Sequence, residues 1–380
     1  MSAPEPPRIR LCRPTMDDET CRAVEAVLRG GLLTQGAEVR ALEAELAHRA
    51  GARHAVAVSS GTAALHAALM AADLGPGDAV LVPDFTFAAS ANVVERVGAT
   101  TVLVDVRPAR YDIDPQAVER TLDAWDAPAR PRAIMPVHEF GGPADMTRIM
   151  ALAARHDLIV IEDAACAIGT QHRGRPVGTF GRFGCLSFHP RKTVTTGEGG
   201  AVLTEDGAAA DRLRALRNHG LQWTDAGPDI PEPGLNYRMT DFQAAIGRVQ
   251  LRRLEPCLDA RRHLQAVYRQ RLADTEVTCP ADVPGHTWQT FMVVLPDRVD
   301  RDAVIAYCRQ RGVETTFGAY ALHTLSYYRR RYARQAAACA GNVAERLFRH
   351  GLALPLHPGL SEADVERAAA VLRDGLDAAV

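Results

Sequence analysis

The sequence predicts an α/β protein: a large domain over residues 1–250 built on a mostly parallel central sheet, and a smaller C-terminal α+β domain over 251–380. Three observations carry this. Between about residue 55 and residue 205, short apolar runs alternate with helical patterns, the signature of successive βαβ units. Beyond 205 the apolar spacing becomes mostly helical. A length of 380 residues also exceeds what a single core of ordinary size holds.

Taken in order, "HAVAVSS" (54–60) reads as a strand leading into the helix "GTAALHAALMAADL". "AVLVPDF" (79–85) leads to "AASANVVERVG", and "TTVLVDV" (100–106) follows. "RAIMPVH" (132–138) precedes the helix "DMTRIMALAARH", and "LIVIEDAA" (158–165), "FGCLSFH" and "GGAVLTED" supply further strands. After these, "AADRLRALRNHG" and a long, breakable pattern from "TDFQAAIG" to "RQRLAD" read as helices, with "GPDIPEPG" (227–234) as an exposed loop. "TWQTFMVVLP" (287–296), "RDAVIAYCRQRGV" (301–313) and "SEADVERAAAVLRDGL" (361–376) predict a strand and two helices for the C-terminal part.

Composition narrows the function. A hydrophobic fraction of 47% and a charged fraction of 24% are those of a globular protein rather than a disordered or membrane-embedded one. A net charge of −2 gives no basic field for nucleic acid. "MSAPEPPRIRLC" lacks the apolar run of a signal peptide and no stretch has the length of a membrane span, so a cytoplasmic protein is expected. The eight cysteines (12, 21, 166, 185, 257, 279, 308 and 339) form no CxxC pair, which argues against a disulfide framework or a zinc site. "HEFGG" (138–142) lacks the second His of a metalloprotease helix and reads as a strand end and turn. No GxGxxG follows a strand.

Lys192, in "SFHPRKTVTTGEGGAV", is the only lysine of the chain; the other 43 of its 44 basic residues are arginines. No Walker A loop exists, because this lysine follows Arg191 rather than Gly. A coding bias toward Arg explains why lysine is rare. Chemistry offers a reason for keeping one, since an amine can lose its proton and condense with an aldehyde and a guanidinium cannot.

Pyridoxal phosphate needs such a lysine, an acid facing its ring nitrogen, a phosphate cradle and an aromatic to stack on the ring. Asp163, closing "LIVIED", fits the acid, or else caps the segment that follows it. Ser59, Ser60, Gly61 and Thr62 stand between a strand and an Ala-rich helix, where free N–H groups, hydroxyls and a helix N-terminus suit a dianion; Ser-Gly-Thr is equally an ordinary N-cap. Ser187, five residues before Lys192, could reach the same phosphate. Phe85 and Phe87 offer a stacking ring or plain core. Asp84, Asp105, His138 and His189 also stand at strand ends, where α/β sheets gather ligands, though strand-end histidines often have structural partners only.

"VSSGTAALHAAL", "PDFTFAASANVV", "PVHEFGGPADM", "IEDAACAIGT", "SFHPRKTVTTGEGGAV", "NHG" and "GLNYRMTDFQAAIGRVQL" occur in the order and style of the DegT/DnrJ/EryC1/StrS aminotransferase family. The resemblance runs from "LLTQG" (32–36) through "ALPLHPGLSEADV" (353–365). It implies the fold type I architecture of pyridoxal phosphate-dependent transferases, like aspartate aminotransferase, and a homodimer with shared active sites. By position it implies Lys192 as the covalent anchor of pyridoxal 5'-phosphate and catalytic base, and Asp163 as partner of the ring nitrogen. Ser60, Gly61, Thr62 and Ser187 would hold the phosphate, Phe87 would stack on the ring, and Asn236 would reach the phosphate of the neighbouring subunit. Cys166 stands where many relatives carry His or Gln, and a thiol is a poor donor for a contact near the cofactor hydroxyl. Lys192 itself argues against the dehydratases among these relatives, which have His there.

The activity implied is transfer of an amino group from glutamate or glutamine to a keto sugar, most often nucleotide-linked, in secondary-metabolite or surface-polysaccharide biosynthesis. Ketocyclitols, a different pyridoxal phosphate reaction such as elimination or epimerisation, and a non-catalytic cofactor-binding regulator are the alternatives. "FGAYALHTLSYYRRRY" (317–332), with Tyr320, His323, Tyr327 and Tyr328, is either a sugar-site segment or a solvated helix with a packed Tyr face. Arg238 is a candidate for a donor carboxylate or a substrate phosphate.

Overall fold

The computed structural model describes residues 8–339 and 341–379. The first residues of "MSAPEPPRIRLC", on which the expectation about a signal peptide partly rests, lie outside the described residues.

Seven strands form the central sheet, in the spatial order 54–58, 200–204, 183–187, 159–163, 130–134, 78–83, 100–104. The Gly200–Thr204 strand alone runs antiparallel to its neighbours, and the remaining pairs are parallel. The parallel strands 78–83, 159–163 and 183–187 are almost wholly buried, as expected where helices cover both faces. One face packs on the Ala-rich helix Gly61–Ala71 and on Ala89–Arg96 and Gly207–Leu216. The opposite face carries Ala37–Ala50 and Asp241–Arg252 at one end and Pro115–Asp123 and Met146–Arg155 at the other.

The exceptional strand has a consequence for the loop before it. Parallel neighbours require a long crossover, whereas an antiparallel pair can be joined directly. Register pairs Gly200 with Ser187, so the connection 188–199 stays at the carboxyl edge of the sheet and carries Lys192 there.

The long helical pattern predicted from residue 240 is two helices, Asp241–Arg252 and Leu254–Leu272, with a break at Arg253. The first starts from a capping box formed by Thr240 and Gln243. "GPDIPEPG" begins inside a short exposed hairpin, Gln222–Thr224 with Gly227–Asp229. In the C-terminal part Phe291–Val294 pairs antiparallel with Gly351–Leu354, a strand the periodicity did not signal, and the helices Arg301–Gln310 and Glu362–Ala378 cover it around a separate apolar cluster.

Residues 319–348 do not stay with that cluster. Tyr320 and Ala321 pair with Thr86 and Phe85, and Leu322 and Tyr328 enter the core of the large sheet. The segment therefore straps the chain's C-terminal part to the edge of the sheet that carries Phe87.

Among the described residues no helix is long and apolar enough to cross a membrane, and no group of three or more His, Cys, Asp or Glu could hold a metal ion.

Candidate active site

The His54–Val58 strand delivers Ser59 and Ser60 to the start of the helix Gly61–Ala71. Ser60 is extended, and its Oγ accepts from the Ala63 N–H at 3.0 Å, so the Ser-Gly-Thr segment is an N-cap as well as a candidate cradle. Gly61 lies against Ser187: a Cβ on it would stand 2.7 Å from the Ser187 Cβ. The helix N-terminus thus opens between Ser60, Gly61 and Ser187, all half-buried, and the exposed Thr62. Free N–H groups and hydroxyls of this kind suit a phosphate.

Across the same edge, the loop bearing Lys192 is tied down by Thr196 N–H to Phe188 O at 3.0 Å and Lys192 N–H to His189 O at 2.8 Å. The Lys192 Nζ donates to Cys166 Sγ at 2.9 Å. Burial works to lower the Lys192 ammonium, but Cys166, Glu139 and Asp163 together leave it raised. The Cys166 thiol is itself raised, by burial first, which keeps it protonated near neutral pH.

Asp163, 5% exposed, ends the Ile159–Asp163 strand. One carboxylate oxygen accepts from the Ala165 N–H at 3.0 Å and the other from the Ser90 hydroxyl at 2.7 Å. It closes a turn, and no helix follows for it to cap. Each oxygen keeps a lone pair for a further donor.

The two phenylalanines separate cleanly. Phe85 is fully buried against Tyr111 and Phe140, with ring centroids 6.2 Å from each. Phe87 is 63% exposed, with Tyr320 its aromatic neighbour at 6.2 Å. Tyr320 is thus brought to Phe87, whereas Tyr327, Tyr328 and Tyr332 of the same segment turn onto the helix Ala89–Arg96 and bond Glu95 or Asn92.

His323 is not brought to an open surface: it is 4% exposed, and its Nδ1 meets the Asp84 carboxylate at 2.5 Å while its Nε2 faces Glu345 at 3.6 Å. Asn236 is exposed and its backbone bridges Asn218. Arg238 donates to Asn218 Oδ1 at 2.6 Å and bridges Val58, which fixes this segment beside Ser59. His138 is buried, bonded to Glu162 at 3.0 Å. His189 accepts from the Arg191 N–H at 3.2 Å, and burial lowers its pKa. Asp105 accepts from the N–H groups of Val343 and Ala344 at the start of the helix Val343–His350.

Sequence reasoning missed three groups. Ser90 buttresses Asp163; Thr86 lies 3.3 Å from the Ser90 hydroxyl; and Glu139, inside "HEFGG", is buried in the electrostatic field of Lys192 and Asp163. Glu139 was visible only as a charged residue in an otherwise apolar and Gly-rich turn.

These residues fit pyridoxal phosphate: a lysine amine and a buried carboxylate at neighbouring strand ends, an open aromatic, and a helix start too close to Ser187 for any side chain at Gly61. The family model described as the DegT/DnrJ/EryC1/StrS aminotransferase family matches residues 14–373. Among solved structures, a DegT DnrJ EryC1 StrS aminotransferase from Brucella abortus is 34% identical, with a TM-score of 0.85 over 94% of this chain and 95% of that one. DesV from S. venezuelae is 34% identical, with a TM-score of 0.87 over 97% and 98%. A protein from Streptococcus pneumoniae assigned as a sugar aminotransferase, in its PMP form, is 25% identical, with a TM-score of 0.88 over 98% of each chain.

Proposed function

The chain belongs to the DegT/DnrJ/EryC1/StrS aminotransferase family and is a pyridoxal phosphate-dependent aminotransferase; from that premise we propose that it moves an amino group from glutamate or glutamine to a keto sugar carried on a nucleotide. The observation that supports the reading best is the convergence of Lys192, Asp163 and the Ser60–Gly61–Thr62 helix start on one edge of one sheet. The sugar-aminotransferase assignment of the Streptococcus pneumoniae relative favours a sugar as acceptor.

Bound pyridoxal phosphate would supply an aldehyde that condenses with an amine, releasing water, and a ring that accepts electrons. Ser60, Gly61, Thr62 and Ser187 would hold the phosphate dianion with N–H and O–H donors. Asp163, fixed by Ser90 and the Ala165 N–H, would hold a proton on the ring nitrogen, and Phe87 would stack on the ring. Lys192 would anchor the cofactor and, as a free amine, would be the base that removes and returns a proton at the donor carbon. Cys166 offers the lysine amine a soft contact. Arg238 and Tyr320 lie near enough to Ser59 and Phe87 to serve the substrates.

The two-part division near residue 250 belongs to the same proposal, as does a homodimer. Trp223, Ile230 and Leu235 are 79%, 58% and 41% exposed around the hairpin beside the exposed Asn236, an apolar patch that a second subunit would cover.

Borohydride reduction of the holoenzyme followed by peptide mapping tests the anchor, with Lys192 the only lysine side chain that can carry the adduct. No adduct there sinks the assignment of Lys192. Incubation with glutamate or glutamine and a panel of nucleotide-linked ketoses and free ketocyclitols tests the acceptor. Turnover of the cyclitols alone would overturn the sugar reading, and no 2-oxo acid from any pair would overturn transamination of this substrate class.

A further inference from the structure

A cavity that the mechanism above leaves without a task adjoins Lys192. It measures about 360 Å³ and lies between residues 12–15, the loop 190–195 and the junction of the helices Asp241–Arg252 and Leu254–Leu272. Of the residues assigned above to the cofactor, Lys192 alone lines it; Cys166, to which the Lys192 Nζ donates, does not. The cavity therefore borders the lysine from outside the cofactor site.

Its lining carries four basic side chains, Arg13, Lys192, Arg253 and Arg261, and no acid. Arg253 is already paired, with Asp17 at 2.6 Å and with Glu19. None of the other three bonds a carboxylate among the described residues. Lys192 donates to a thiol. Arg13 is exposed, with no ion pair or hydrogen bond among the described residues. Arg261 is 2% exposed, and its guanidinium donates to the backbone carbonyls of Trp288, Gln289 and Leu356 at 3.1, 2.9 and 2.9 Å. Two donors of the lining are left over: Arg261 Nε and the hydroxyl of Thr193, a residue 9% exposed, have no partner among the described residues. A buried guanidinium without an anion and a buried hydroxyl without an acceptor are both costly, and one carboxylate set between them would relieve both.

Size and position choose among anions. A volume of about 360 Å³ is near the lower end of the roughly 300–1,000 Å³ of small-molecule sites, which suits a five-carbon acid better than a nucleotide-linked sugar. The amino donor is also the anion that has to reach Lys192, because the lysine works on the donor carbon. We propose that this cavity is the carboxylate site of the amino donor: Thr193 and Arg261 donate to the carboxylate, and the exposed Arg13 draws it in from solvent. The proposal rests on the reading of the chain as a transaminase fed by glutamate or glutamine, and deepens it by giving that donor a site.

The test is calorimetric titration of the holoenzyme with glutarate, the donor skeleton without its amine. Glutarate cannot be transaminated, so its failure to bind is separate from a failure to release 2-oxo acid in the incubations above. Glutarate should bind with a dissociation constant of about 1 mM or below. Thr193→Val, which keeps the side-chain shape and removes the hydroxyl, should weaken it roughly tenfold, and Arg13→Gln roughly two- to fivefold at low salt. Neither residue is assigned to the cofactor, so the visible spectrum of the bound cofactor should stay that of the wild type in both. Should Thr193→Val fail to fold, Arg13→Gln decides, since that side chain is exposed and has no partner among the described residues. Absence of glutarate binding, or binding unmoved by the substitutions, overturns the proposal. Inorganic phosphate, titrated with the cofactor already in its cradle, should bind more weakly than glutarate; equal or tighter binding, weakened by the same substitutions, overturns the assignment to the donor.

Discussion

Asp84→Asn is the substitution that most directly tests how residues 319–348 are held over the site. Asp84 is fully buried at the end of the Asp78–Pro83 strand. Its carboxylate accepts from the His323 N–H at 2.9 Å, from His323 Nδ1 at 2.5 Å and from Asn342 Nδ2 at 3.0 Å. An amide in its place presents an NH2 group to one or more of these donors, so the pair is broken rather than replaced. Breaking a buried ion pair from one side costs about 3–5 kcal/mol. With about 2.1 cal/mol/K of unfolding entropy per residue, 380 residues give about 0.8 kcal/mol/K, so the melting temperature should fall by about 4–6 °C. The loss should depend on pH. Burial pulls His323 down, but Asp84 and Glu345 outweigh it and leave the imidazole raised above its ordinary value of 6.5. The ion pair's contribution is therefore full below 6.5 and is lost as pH rises through the raised folded value. Urea unfolding of both proteins at pH 6 and at pH 9 should give the larger difference at pH 6. An equal difference at both pH values, or a melting temperature unchanged by the substitution, would refute the reasoning.

Three further outcomes are expected. Gly61→Ala forces a Cβ to 2.7 Å from that of Ser187, and the overpacking of about 1–3 kcal/mol falls on the phosphate cradle; a titration of the cofactor-free chain with pyridoxal phosphate should show roughly 5- to 150-fold weaker binding. His286 stacks on Trp288 at 3.6 Å and accepts from the Trp288 N–H at 2.9 Å, and burial, with Arg269 and Arg110, lowers it to about 3. Its neutral form supports folding above pH 6.5 and progressively less below, so on going from pH 7.5 to pH 5 the wild type should lose about 2 kcal/mol more than His286→Asn does in urea unfolding. Trp223→Glu places a charge on the exposed hairpin, and sedimentation velocity should show the proposed dimer shifting to monomer; a sedimentation coefficient unchanged by the substitution would remove this hairpin from the interface.

The main lines of the fold could be read from the chain because they rest on local rules. Alternating apolar runs and helical patterns marked the strands of the sheet, and the start of the Gly61–Ala71 helix was visible in "SSGT". The long helical pattern after residue 240 read as breakable, but the place of its break at Arg253 was not visible, nor was the Gly351–Leu354 strand, since both depend on what packs against them. Within the site, Lys192 and Asp163 could be picked out because one is unique in the chain and the other ends a strongly apolar strand. Phe85 and Phe87, two residues apart on an extended segment, looked alike until burial separated them.

By itself, then, the sequence determined which chemistry was possible: a single amine in a chain of arginines, an acid and a phosphate-ready helix start in the order the chemistry needs. Tertiary structure alone decided the protonation and access of the groups around that amine. His323 meets Asp84 across 239 positions of the chain, and burial, against the pull of Lys192, pushes the Glu139 carboxyl up to about 7. Burial and Coulomb interaction depend on distance in space, and no spacing along the chain records it.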